Sequence, residues 1–189
     1  MIDRRHLLAL LLASPLARGP EAQAQTPGMS RATAFAFSFK TLDGQDIRLA
    51  ERAGHPVFVV NTASLCGYTP QYAGLEALWT RYRDRGLLVL GVPSNDFGGQ
   101  EPGGASEIHS TAHRHGVTFP LTEKTAVKGA TAHPFYRWAA IQRPGETPRW
   151  NFHKYLIGRD GTLAAAFPSA VEPTDPRVVS AIERQLSPG

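Results

Sequence analysis

Two apolar runs, at residues 57–61 and 87–92, bracket a segment whose large apolar residues Tyr72, Leu75, Leu78, Trp79 and Tyr82 recur at helical spacing. Continuous rather than alternating apolarity marks a strand buried on both faces. A helix over 70–85, ended by Gly86 as a C-cap, would join the two runs. The unit is strand–helix–strand, which in one sheet means parallel strands and a right-handed crossover.

The rest of the chain builds outward from that unit. Upstream, 34–39 alternates loosely, Asp43-Gly44 supplies a turn and 45–49 returns, which predicts a β-hairpin. Downstream come a Gly-rich loop at 95–104, a polar helix over 105–115, an irregular Phe119-Pro120-Leu121, and a helix over 133–141 broken by Arg143-Pro144-Gly145. A second hairpin, 152–157 with 162–167, turns at Asp160-Gly161, and Pro173 opens a C-terminal helix. There is no internal repeat. This order predicts an α/β fold, a thioredoxin-like sandwich with a central mixed β-sheet flanked by helices. With 189 residues, 42% hydrophobic and 19% charged, the chain has material for one core and is short for two.

The first residues stand apart. Asp3-Arg4-Arg5-His6 is a charged start, Leu7 to Leu12 a short apolar core, and Ala22-Gln23-Ala24 a small-residue cleavage site. Residues 1–24 read as a signal peptide and also fit the twin-arginine type, 25–33 as a linker, and 34–189 as the domain. The expectation is a periplasmic or secreted protein without a stable membrane anchor, because the apolar core is too short to span a bilayer. The net charge of +4 is spread over scattered Lys and Arg with no basic stripe interleaved with aromatics, which argues against a nucleic-acid partner.

Cys66 is the sole cysteine, so no internal disulfide can form even in an oxidising compartment. It lies between the first buried strand and the helix that follows, where unpaired N–H groups and the positive end of a helix dipole favour thiolate over thiol. On position alone two readings stand: a reactive thiol, or a small buried hydrophobe, the commoner fate of a free cysteine. His109, His113 and His115 have no thiol partner in their segment and read as solvated histidines, so no metal site is expected. Gly98-Gly99 is not followed by Gly-Lys-Ser/Thr, which excludes a P-loop phosphate cradle.

Three blocks break the tie. The segment Asn61-Thr62-Ala63-Ser64-Leu65-Cys66-Gly67-Tyr68-Thr69, then Pro93-Ser94-Asn95-Asp96-Phe97-Gly98-Gly99-Gln100-Glu101-Pro102-Gly103, then Trp150-Asn151-Phe152-His153-Lys154-Tyr155-Leu156-Ile157, resembles the signature blocks of the glutathione peroxidase family in order and spacing. The resemblance runs over roughly 35–186 and implies the thioredoxin-type fold that the element order predicts independently. It also implies a catalytic tetrad of Cys66, Gln100, Trp150 and Asn151, with no cofactor and no metal. The implied substrate is hydrogen peroxide or an organic or lipid hydroperoxide, and the implied reductant glutathione or a thioredoxin-like protein. In chemical terms the thiolate attacks one peroxide oxygen and becomes a sulfenic acid. The amide N–H groups of Gln100 and Asn151 and the indole N–H of Trp150 are suited to stabilise developing negative charge. Taken singly, Gln100 is an exposed loop residue, Trp150 a half-buried aromatic and Asn151 a turn former; the ordered match gives them joint meaning.

Departures from the family pattern refine the expectation. Where members that use thioredoxin carry a resolving cysteine, this chain has Thr111, Ala112 and His113; Ser94 replaces a further cysteine, and Asp96 stands where the family usually has Gln. The sulfenic acid must therefore meet an external thiol. Only 142–149 separates the preceding helix from Trp150, which resembles the compact monomeric members. The alternative function is a peroxide sensor or relay that passes oxidation from Cys66 to a partner protein. A redox-dead binding module would need the tetrad to be coincidental.

Overall fold

In the computed structural model, residues 32–187 are described. The expected signal peptide and most of the linker fall outside them. A four-stranded sheet runs in the order β4-β3-β5-β6, with β3 (Val57–Thr62) and β4 (Leu88–Pro93) parallel, and β5 (Lys154–Ile157) and β6 (Leu163–Phe167) antiparallel to their neighbours. The sheet is mixed, as the sequence predicts. Every residue of β3, β4 and β5 is buried, which is why those runs read as continuously apolar.

Alternation along β3 splits the core in two. Phe58 and Val60 face a cluster with Tyr72, Leu75, Leu78 and Tyr82 of α1 (Tyr72–Tyr82), Ile108 and Ala112 of α2 (Ala105–Arg114), and Val178, Ala181 and Ile182 of α4 (Pro176–Leu186). Val57 and Val59 face the other cluster, where α3 (Pro134–Gln142) supplies Phe135, Tyr136, Trp138 and Ala139. Each large side chain so buried contributes about 1.5–3 kcal/mol by removal from water. Gly91 interrupts the apolar run of β4 because a side chain there would collide with Leu121, whose segment bridges to the strand at that point.

Several boundaries differ from expectation, each for a local reason. The first hairpin is shorter: Ala34–Ala36 forms a 3-10 turn, and β1 (Ser38–Lys40) pairs with β2 (Asp46–Arg48) in a separate two-stranded sheet. The turn is held by Ala34 N–H donating to Gly161 O at 2.8 Å, and Phe37 and Phe39 pack on the Phe135 ring. The first long helix begins with a 3-10 turn at Thr69–Gln71 and ends with another at Arg83–Arg85, before Gly86 takes the left-handed conformation (φ 101°). The C-terminal helix opens at Pro176 rather than Pro173. Asp175 is its N-cap, accepting from Arg177 N–H at 2.9 Å, and Pro176 takes the first helical position. Pro173 instead packs where a Cβ on Gly74 would lie 3.3 Å from its ring. Phe152 cannot belong to the second hairpin, since its φ is +62°; that strand starts at Lys154.

Candidate active site

Three loops meet at one edge of the sheet. The Cys66 loop leaves the carboxyl end of β3, and the Gly-rich loop leaves the carboxyl end of β4. Trp150 and Asn151 precede β5, so they sit at that strand's amino end. Because β5 is antiparallel to β3, that end lies on the same edge.

The Cys66 loop is pinned from within. Cys66 N–H donates to Thr69 Oγ1 (3.1 Å), Thr69 Oγ1 donates to Ala63 O (2.8 Å), and Thr69 N–H donates to Cys66 O (3.0 Å). Cys66 is 7% exposed and packs with the apolar cluster on its face of the sheet, so the buried-hydrophobe reading describes its surroundings correctly. Its sulfur is nevertheless addressed: Tyr68 N–H donates to Sγ at 3.4 Å.

Gln100 and Asn151 are brought together directly. Asn151 Nδ2 donates to Gln100 Oε1 at 2.9 Å, and Leu65 N–H, one residue before the thiol, donates to Gln100 O at 3.0 Å. Asn151 is fully buried and its Oδ1 has no partner. Trp150 is 40% exposed and lies against Phe97, with ring centroids 6.0 Å apart. Gly98 makes room for it, because a Cβ at that position would sit 3.3 Å from the indole. Gly98 and Gly99 both take positive φ (65° and 63°), which accounts for the Gly-Gly pair. Among the described residues the hydrogen bond to Sγ comes from Tyr68; Gln100, Trp150 and Asn151 make none. Gln100 and Asn151 are joined to the thiol loop through Leu65 rather than to the resting sulfur.

Other residues complete the frame, and the sequence reading passed over them. Asn61 Nδ2 donates to Trp150 O (3.1 Å), and Asn61 Oδ1 accepts from His153 N–H (3.1 Å). Phe152 N–H donates to Asn61 O at 2.6 Å, and the left-handed Phe152 turns the chain between Asn151 and β5. A polar Asn in an otherwise apolar strand was the signal for this tie. Glu101 is wholly buried and accepts from Ser64 Oγ–H at 3.1 Å; burial pushes its carboxyl above the usual range. Lys154 is also wholly buried. It donates to Gln71 Oε1 (2.6 Å), Val171 O (2.6 Å) and Ser169 O (3.3 Å), and burial lowers its pKa to about 8. His153 is held neutral by burial, with Lys154 adding to the effect, at a pKa of about 4. Among the described residues no group of three or more His, Cys, Asp or Glu side chains is placed to hold a metal ion.

A cysteine at a strand–helix junction, in a loop hydrogen-bonded to Gln100 and through it to Asn151, fits a thiol-dependent redox enzyme on a thioredoxin fold. Distant solved structures share that fold: a thioredoxin family thiol:disulfide interchange protein from Chlorobium tepidum matches 80% of this chain and 93% of its own with a TM-score of 0.59 at 14% identity. Closer likeness settles the family. The glutathione peroxidase family model matches residues 34–140. A hydroperoxy fatty acid reductase of Synechocystis sp. is 43% identical over 82% of this chain and 96% of its own length. A glutathione peroxidase-like peroxiredoxin of Chlamydomonas reinhardtii is 45% identical over 74% and 88%. The crystal structure of Trgpx in apo form covers 82% of this chain and 96% of that one, with a TM-score of 0.67 at 33% identity. The chain belongs to the glutathione peroxidase family. It is a peroxidase that reduces hydroperoxides at the expense of thiols. The sensor or relay alternative draws no support from these relatives.

Proposed function

We propose that Cys66 is the peroxide-reducing thiol, that Gln100, Trp150 and Asn151 are its catalytic partners, and that an external thiol completes the cycle. The observation that carries this reading is the Asn151–Gln100–Leu65 chain of hydrogen bonds, which ties three segments far apart in sequence to the residue beside the thiol. Thiolate sulfur attacks the distal peroxide oxygen, the O–O bond breaks, and the departing oxygen leaves as water or alcohol after taking a proton. Sulfur is left as a sulfenic acid. With no second cysteine in the chain, one thiol forms a mixed disulfide with release of water and a second thiol cleaves it, so two thiols are consumed per peroxide.

The half-exposed Trp150 and the names of the Synechocystis relatives support bulky fatty-acid hydroperoxides as substrates alongside hydrogen peroxide. We read the short 142–149 connection as that of a monomer, and residues 1–24 as an export signal that delivers the enzyme to the periplasm or beyond. A tetramer by gel filtration would contradict the first, and an uncleaved cytoplasmic protein the second.

The deciding experiment follows thiol loss at Cys66 in the reduced protein on addition of hydrogen peroxide or a lipid hydroperoxide, with Cys66→Ser as blank. Oxidation far faster than that of free cysteine, reversed by added thiol, is the expected result. Oxidation no faster than that of free cysteine would remove the proposed role of the three partners.

A further inference from the structure

We propose that Lys154 and Gln71 are positioning residues for the peroxide reaction, holding the turn that follows Cys66 in fixed register with the segment that brings Trp150 and Asn151 to the site. The proposal rests on the peroxidase reading and adds what keeps the thiol aligned with its partners.

The turn after the thiol has little of its own to hold it. Thr69–Gln71 is a three-residue 3-10 turn without a side-chain N-cap, and so short a helix is marginal in isolation. Its bond from Gln71 N–H to Tyr68 O, at 2.9 Å, fixes the peptide that follows Tyr68. Tyr68 is also the residue whose own N–H reaches Cys66 Sγ, so the direction of that donor depends on where Gln71 sits.

Gln71 is buried, and its side-chain amide is bonded at both ends. Oε1 accepts from Lys154 Nζ at 2.6 Å, while Nε2 donates to Ser169 O at 2.9 Å and to Glu172 Oε1 at 3.3 Å. Lys154 in turn directs its three N–H groups at Gln71 Oε1, Val171 O and Ser169 O. A lysine is a costly way to fill space in an otherwise apolar strand, because a buried ammonium must be compensated for its lost hydration. What it offers over an apolar side chain of similar length is a donor for Gln71 and, through Gln71, a fixed place for Tyr68.

Lys154 stands three residues after Asn151, and the stretch between them is held by Asn61. The Asn61 side chain donates to Trp150 O and accepts from His153 N–H, and Asn61 O accepts from Phe152 N–H. The loop is therefore tied to one short stretch on both sides of the thiol. Before Cys66 the tie runs from Leu65 N–H to Gln100 O and from Gln100 Oε1 to Asn151; after it, from Tyr68 through Gln71 to Lys154. Attack on an O–O bond needs sulfur and the groups that meet the leaving oxygen in one geometry, and a misplacement of about 1 Å costs up to about 100-fold in rate.

The test compares two reactions of reduced Cys66: oxidation by hydrogen peroxide, which needs the partners aligned, and alkylation by iodoacetamide, which needs only an accessible thiolate. Both are run well below the unfolding midpoint of each variant, checked by circular dichroism. In Lys154→Met and Gln71→Met the ratio of the oxidation rate to the alkylation rate should fall about 10–100-fold. Gln71→Glu keeps an acceptor for Lys154 but loses the donor to Ser169 O and sets a second carboxylate near Glu172. It should be less stable than the wild type and yet recover most of the ratio, whereas a merely structural role would leave the ratio unchanged or move both rates together. If Lys154→Met does not fold, Gln71→Met decides, because its lysine keeps two carbonyl acceptors. Wild-type oxidation no faster than that of free cysteine would count against the peroxidase reading itself. Fast wild-type oxidation with an unchanged ratio in Gln71→Met overturns the positioning role alone, as does a ratio in Gln71→Glu as low as that in Gln71→Met.

Discussion

Glu101 and Lys154 are both ionisable, both without exposed surface and both placed around the Cys66 loop, yet the protein treats them differently. Lys154 has three acceptors, all within 3.3 Å. Through Gln71 it ties the turn after the thiol to the segment at 169–171, and Gln71 reinforces the tie by donating to Ser169 O at 2.9 Å. Glu101 has one side-chain oxygen satisfied and one left over. A buried charge with all its contacts made is a structural fastening, while one with a contact missing has kept capacity for something else.

Replacing Lys154 by Met breaks the comparison most severely. It leaves Val171 O and the Gln71 side-chain oxygen without their donor and Ser169 O with Gln71 alone, and the expected loss is about 3–5 kcal/mol in urea unfolding. If Lys154→Met is as stable as the wild type, the lysine is not the fastening described. His153 comes next. Its folded pKa of about 4 lies below the ordinary 6.5, so the unfolded chain binds the extra proton first. Stability is present above pH 6.5 and falls as pH drops toward 4, by up to about 3 kcal/mol. The unfolding midpoint of His153→Phe should be flatter between pH 7 and pH 4.5 than that of the wild type.

Asn151→Ala removes the donor to Gln100 Oε1, and the rate of Cys66 oxidation should fall about 10–100-fold with lesser change in thermal stability. A variant that oxidises at the wild-type rate would make Asn151 purely structural. The smallest effect is expected for Glu101→Gln, which keeps an acceptor for Ser64. Because burial raises the folded pKa of Glu101, its contribution is present at low pH and lost as pH rises through that raised value. The glutamine variant should therefore be slightly more stable than the wild type at neutral pH. Lower stability would mean that the carboxylate makes contacts its geometry does not reveal.

Much of this was legible in the chain itself. The buried strands β3 and β4 announced themselves because both faces are covered, and a strand with no solvent face has no reason to alternate. Cys66, Gln100, Trp150 and Asn151 were found because their blocks are contiguous in sequence. The start of α4 was also written locally, in Asp175-Pro176, but Pro173 offered a nearer-looking signal. The short first hairpin was not local: Ala34 is held by Gly161, more than a hundred residues away.

Composition and pattern therefore determined the layers, the strand–helix order and the identity of the reactive groups, since those depend on short-range periodicity and on side-chain chemistry. The tertiary structure decided which groups face one another. That β5 runs antiparallel, so that Trp150 and Asn151 arrive at the same edge as Cys66 from the amino end of their strand, is a property of the sheet as a whole. So are the burial of Glu101 and Lys154, and the fact that one is fully bonded while the other keeps a free oxygen beside a cavity. Charge in a sequence has a sign; its cost and its use are set by the partners that folding places within hydrogen-bond reach.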